Sequence, residues 1–309
     1  MQPASDGRAA DAAPLDSSRL PVPPSCPLSS SSPHPRRALL SAGAAILLWA
    51  GLAALGLKLK HVPPFLLVGC ALLLGSLPGL RHVRLRGLRP RILLLGVYGL
   101  FAYHLCLFVA LRSAPAVVAN LLNYLWPLLI VVLSPVILQG MALRPRHLLG
   151  ALLGFGGAAL LVLRGGGAAP LTGASAMGYL LALAAAVIWS TYSLLTKRVA
   201  PFPTSTIATF CLASGLLALA CHAVLEPRYL PTLVDAPYLL LVGLGPMGAA
   251  FYLWDRAMKD GDPRAIGTLA YATPLLSTLL IAALGERVLT PAVLAGAALI
   301  TGGAVIGTR

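Results

Sequence analysis

The sequence predicts an all-α integral membrane protein of ten transmembrane helices, arranged as two inverted five-helix repeats. Three observations carry that expectation. Only 10% of the 309 residues are charged and 58% are hydrophobic, where a soluble domain carries about 25% charged residues. Apolar runs recur along the chain at about the 20-residue length that a helix needs to cross hydrocarbon. A stretch from the middle of the chain returns near its end, in the same order and spacing. In this setting a formal net charge of +14 predicts no nucleic-acid partner, because loops on the cytoplasmic side of a membrane collect Lys and Arg.

Residues 1–37 hold eight Pro and eight Ser with scattered Asp and Arg. Such a segment cannot bury enough apolar surface to offset its ordering, so it reads as a disordered cytoplasmic tail. It lacks the apolar core of a secretory signal. From Ala38 the spans run at 38–57, 62–80, 92–111, 115–138 and 147–163, then at 177–196, 204–224, 237–255, 265–284 and 291–307. The repeats are therefore placed at 38–167 and 177–309. Internal breakers such as Gly245-Pro246 are compatible with membrane helices whose neighbours re-satisfy the freed backbone groups.

Counting basic residues on alternate sides places seventeen of 23 on the side of the chain ends. The other side holds Lys58, Lys60, Arg112, Arg164, Arg228 and Arg287. That bias predicts both termini in the cytoplasm of a cell whose inner (plasma) membrane holds the protein. The five cysteines show no metal-ligand or disulfide spacing, and no metal or cofactor is expected.

The repeat is read from "LRPRHLLGALLGFGGA" (143–158) and "LTPAVLAGAALITGGA" (289–304), which agree at nine of sixteen positions; chance gives roughly two. Upstream, "LNYLWPLL" (122–129) matches "LAYATPLL" (269–276), and Trp49 aligns with Trp189. Five helices per copy is an odd number, so the second copy must enter the membrane from the opposite side. Inverted repeats of this kind characterise secondary transporters, with substrate near the midplane between halves.

Ten spans in two such copies resemble the drug/metabolite transporter superfamily, specifically its EamA-type members. "NLLNYLWPLL" (120–129) and "YATPLLSTLLIAALGE" (271–286) are similar to the aromatic amino-acid exporter branch. The resemblance covers about residues 38–308. It implies export of small amphipathic metabolites, amino acids and aromatic ones among them. The first copy departs from the second at Gln139, which aligns with Glu286, so a role for that acid is not symmetric.

Candidate site residues follow from polarity in apolar runs. Asn120, Asn123 and Tyr124 share one helix face. They read either as interhelical hydrogen bonders or as cavity-lining groups, and two carboxamides beside aromatic rings favour the cavity. Trp49 and Trp189 lie mid-span rather than at the interface. Tyr271, the repeat mate of Tyr124, is expected to join them with Thr268. His104 reads equally as a satisfied core histidine or a coupling group. No acid lies between Asp16 and Glu226. The first repeat therefore lacks the carboxylate of a proton relay, and obligatory proton coupling is not expected. Asp255 and Glu286 sit at span ends, where an ion pair with Arg256 or Arg287 is the plain reading; Asp255 is the alternative coupling site.

The alternatives are a proton-coupled exporter of the same superfamily and, more distantly, a membrane-embedded enzyme. No nucleophile, base and acid converge in the spans, so no catalysis is expected. The expected partners are a small-molecule substrate and the lipid bilayer, with the chain a monomer or homodimer. Small-residue pairs Gly150/Gly154 and Gly303/Gly307 fit helix packing within one chain or between two.

Overall fold

The computed structural model describes residues 35–83, 88–165, 176–199, 201–284 and 290–308. Nearly all of the Pro/Ser-rich segment, and Glu286, lie outside them. The described residues contain helices and no strand.

The first repeat's helices are α1 (Pro35–Lys58), α2 (Pro64–Ser76), α3 (Pro90–Val97), α4 (Tyr103–Ser113), α5 (Ala116–Asn123), α6 (Trp126–Ile137) and α7 (Pro145–Gly165). The second repeat's are α8 (Ala176–Arg198), α9 (Ile207–Leu225), α10 (Asp235–Leu244), α11 (Ala250–Asp260), α12 (Pro263–Ala270), α13 (Ala272–Ala283) and α14 (Pro291–Thr308). Proline opens α2, α3, α7, α12 and α14 at the first helical position, where its missing N–H has no helical partner to lose.

Among the described residues eight helical runs are long and apolar enough to cross a membrane; two of the ten expected spans are not among them. The expected fifth span is the helix α7, which carries Arg146 and His147 in its first turn. The expected ninth is divided between α12 and α13 at Tyr271. Leu40, Leu47, Leu94, Val136 and Leu180 point outward from this assembly. Soluble proteins avoid an apolar exterior on this scale; a bilayer requires it.

The two copies pair reciprocally. Span one (α1) packs on α11 of span eight, and span six (α8) packs on α4 of span three. The second spans of the two copies, α2 and α9, meet each other, as do the fifth, α7 and α14.

Glycine explains the closest of these contacts. A methyl placed on Gly303 would sit 2.5 Å from the Gly150 carbonyl oxygen, and one on Gly150 would sit 2.7 Å from that of Gly303. The small-residue faces are therefore consumed within one chain. Gly156 and Gly302, on the same two helices, have open space where the first carbon of a side chain would stand.

Gly303→Val should accordingly lower the thermal midpoint of detergent-solubilised protein by several degrees, since overpacking costs about 1–3 kcal/mol. Gly156→Ala and Gly302→Ala should leave it unchanged or raise it slightly.

Candidate functional site

The centre of the protein is made by interrupted helices. Pro127 and Pro274 occupy the same place in the two copies. A proline ring clashes with the carbonyl four residues earlier, which here belongs to Asn123 and Ala270. The helices α5 and α12 end at those residues, and α6 and α13 begin after a one- or two-residue break. A second pair of interruptions lies in the third helix of each copy. Single wide π turns occupy Tyr98–Ala102, between α3 and α4, and Gly245–Ala249, between α10 and α11. Their positions differ by the repeat offset, and such turns frequently mark functional sites.

A cavity of about 350 Å³ lies beside these breaks, in the range of small-ligand sites. Trp49, Asn120, Asn123, Tyr124 and Trp189 line it, as the sequence suggests, and so does His104. Tyr103, Phe108, Trp126, Met247, Phe251 and Thr273 line it as well. Phe251 was findable, because the repeat offset places it opposite His104. Trp126 sits within the polar-aromatic stretch already singled out. Tyr103, Phe108 and Met247 carry no such signal.

Four tryptophans cluster together, three of them in the cavity lining. Every pair among Trp49, Trp126, Trp189 and Trp254 has ring centroids between 5.1 and 6.5 Å apart, mostly edge to face, the arrangement that aromatic quadrupoles prefer. The indole N–H of Trp49 donates to the Pro246 carbonyl at 3.0 Å, and that of Trp254 donates to Ser193 Oγ at 3.0 Å. From the tryptophans the lining runs to Gly56, Leu67 and Leu111, towards the C-terminal ends of α1 and α4.

Among the described residues no Asp, Glu, Lys or Arg lines the cavity. Its polar groups are amides, hydroxyls and the His104 imidazole. Asn123 Nδ2 donates to the Tyr103 hydroxyl at 3.4 Å, while Asn123 Oδ1 and Thr273 Oγ1 are buried without a partner. His104 Nδ1 donates to the Leu100 carbonyl at 2.5 Å.

Charge collects at the two ends instead. At one, Glu226 accepts from the backbone N–H of Phe65 at 3.0 Å and of Leu66 at 3.3 Å, and pairs with Arg112 Nη2 at 2.7 Å and His222 Nδ1 at 2.9 Å. A carboxylate at the α2 N-terminus answers donors the helix leaves open. At the other, Asp255 accepts from Lys259 Nζ at 2.7 Å and Thr204 Oγ1 at 2.8 Å. Lys197 Nζ there donates to the carbonyls of Met258, Lys259 and Gly261. The helix α9 runs from one cluster to the other, and its 19 residues span about 28 Å.

Three expectations are corrected. Thr268 is fully buried, donates to the Arg264 carbonyl at 2.9 Å and packs against Gly307, away from the cavity. Tyr271 fills the notch at Gly154 between α7 and α13, its hydroxyl accepting from the Leu128 N–H at 3.1 Å. The repeat offset puts Ile300 where Gly154 stands, so the notch has no counterpart in the other copy. Asp255 pairs with Lys259, one turn along, rather than with Arg256, and lies outside the cavity lining.

A family model described as the EamA-like transporter family matches residues 36–163 and again 176–308. The chain is 42% identical over 271 residues to an aromatic amino acid exporter, YddG, of Ancylobacter novellus, covering 85% of this chain and 94% of that protein. It is 27% identical to the YddG exporter of Salmonella typhimurium, over 77% of this chain and 86% of that one. A solved crystal structure with 41% sequence identity superposes with a TM-score of 0.84, covering 89% of this chain and 97% of the other.

The geometry predicts opposite results for two hydroxyl deletions in the same helix pair. Tyr271→Phe should lower the thermal midpoint by a few degrees, as it strands the Leu128 N–H, a loss of about 1 kcal/mol or more. Thr273→Val removes a hydroxyl that has no partner and should be neutral or stabilising in the same melt.

Proposed function

The chain belongs to the EamA-like transporter family, and from that premise we propose that it exports amino acids, aromatic ones included, across the inner membrane. The observation that carries the substrate reading is the uncharged cavity, walled by indole and phenyl rings and dotted with neutral polar groups. An α-amino acid with an aromatic side chain matches it: the ring meets aromatic walls, and the zwitterion carries no net charge. A lysine or glutamate would bring a net charge into a site with no ionised partner, which is costly. The chain is an all-α membrane protein and not an enzyme.

The working cycle is alternating access by two five-helix halves of opposite orientation, ten spans in all, across a membrane in which both chain ends face the cytoplasm. Reciprocal packing of α1 with α11 and of α8 with α4 supports the two-fold relation. The paired π turns and paired proline breaks support it too. Ala38 near the start of α1 packs at Gly261, and Gly307 near the end of α14 packs at Thr268, which supports chain ends on one face. In this cycle the tryptophan cluster is the closed gate. Its parting, with release of the Asp255–Lys259 pair behind it, opens the cavity to the other side.

Transport proceeds without obligatory proton coupling, a reading supported by the lack of any acid in the cavity lining among the described residues. The buried Asp255, with Oδ1 unpartnered, is the one observation that favours the proton-coupled alternative. The chain acts as a monomer or homodimer; α7 and α14 hold each other within one chain.

Proteoliposomes holding the purified protein should exchange labelled phenylalanine or tryptophan, with lysine and glutamate competing poorly. Trp49→Ala and Asn123→Ala should raise the apparent substrate constant without loss of membrane insertion. An imposed pH gradient should not drive net accumulation, whereas accumulation abolished by Asp255→Asn would establish coupling. No flux of any amino acid would end the exporter reading.

A further inference from the structure

The neutral polar groups of the cavity differ in kind, and their hydrogen-bond partners fix which atoms remain to be used. Asn123 is 5% exposed. Its Nδ2 donates to the Tyr103 hydroxyl at 3.4 Å, which leaves Oδ1, an acceptor, buried with no partner. An unanswered buried acceptor costs about 1–3 kcal/mol. His104 is 7% exposed. A carbonyl can only accept, so the contact of Nδ1 with the Leu100 carbonyl at 2.5 Å places the ring proton on Nδ1. In the uncharged form of the ring the second nitrogen, Nε2, is an acceptor, at the edge of the ring turned from the helix backbone. The Tyr103 hydroxyl spends a lone pair on Asn123 and keeps its own proton to donate. Its ring lies 4.9 Å from that of His104, and all three residues line the one cavity.

We infer that these residues read the two ends of a zwitterion: Asn123 Oδ1 and His104 Nε2 accept from the substrate's ammonium, and the Tyr103 hydroxyl donates to its carboxylate. An ammonium is a donor only and a carboxylate an acceptor only, so the set is matched in polarity to an α-amino acid head group. The Trp189 ring stands 5.3 Å from that of Tyr103 and the Phe251 ring 6.3 Å from that of His104, so the substrate's aromatic side chain meets rings that adjoin the head-group site. Recognition by neutral dipoles suits a ligand whose two charges cancel. A buried acid or base in their place would favour amines or acids alone. The inference rests on the amino-acid exporter reading of the same cavity and assigns the atoms by which that substrate class is recognised.

The test separates the two ends with three probes: phenylalanine, 2-phenylethylamine, which lacks the carboxylate, and 3-phenylpropionate, which lacks the ammonium. Binding is measured by equilibrium titration of the full chain in detergent at pH 7.5. The wild type should prefer phenylalanine to either analogue by about tenfold or more, the scale of one hydrogen bond to a charged group. Asn123→Leu should weaken phenylalanine and phenylethylamine by about tenfold and leave phenylpropionate within twofold. Tyr103→Phe should weaken phenylalanine and phenylpropionate by about as much and leave phenylethylamine within twofold. If Asn123→Leu does not stay monodisperse, the isosteric Asn123→Asp decides: phenylethylamine should bind more tightly and phenylpropionate more weakly. Equal losses for all three probes, no loss, or a wild type indifferent to the missing group would each overturn the assignment. The expected binding pattern without amino-acid flux in proteoliposomes would instead count against the exporter reading alone.

Discussion

One hydrogen bond organises the middle of this protein: the Trp49 indole N–H on the Pro246 carbonyl, 3.0 Å apart. In a bilayer no water answers a backbone group that leaves the helical ladder. The turn at Gly245–Ala249 widens the helix, and the Trp49 indole N–H gives the Pro246 carbonyl within it a donor from another helix, α1. That donor brings its ring to the centre, where the other three tryptophans surround it. The backbone interruption, the helix contact and the aromatic closure are thus parts of one arrangement.

The electrostatics divide in the same way. Glu226, Asp255, Lys197 and Lys259 sit at the ends of the helices with two or more partners each, and the cavity between them is lined by no Asp, Glu, Lys or Arg among the described residues. Glu226 ties α2, α4 and α9 at one end. Lys197 and Lys259 tie α8, α11 and the segment at Phe202 at the other, where the Lys259 ammonium also stands 3.5 Å over the Phe202 ring. Each pair is held where lipid head groups and water can reach one partner. A charge in the cavity would have neither, and desolvation would cost more than attraction returns. The neutral lining is the consequence, and it limits what can pass.

Repetition in sequence does not mean equality in space. The proline breaks and π turns recur in both copies because local backbone sterics determine them. Tyr124 and Tyr271 occupy the same point in the motif yet have different fates. Tyr271 enters a notch that exists because Gly154 has no side chain, whereas the position matching Gly154 holds Ile300. The site is consequently built mostly from the first copy's polar groups and both copies' aromatic rings.

Composition and periodicity by themselves determined the helical, membrane-embedded class, the element order, the duplication and the five cavity residues Trp49, Asn120, Asn123, Tyr124 and Trp189. These follow from local rules: apolar length, proline sterics, and polar groups that need a wet or polar face. What only the tertiary structure decided is which distant groups share space. Trp254 joins the other tryptophans, Lys259 rather than Arg256 answers Asp255, Glu226 caps a helix more than 150 residues earlier in the chain, and Thr268 turns to Gly307. No local pattern encodes these, because a side chain's partner across a helix interface depends on the notch opposite, and that notch is made by other residues far along the chain.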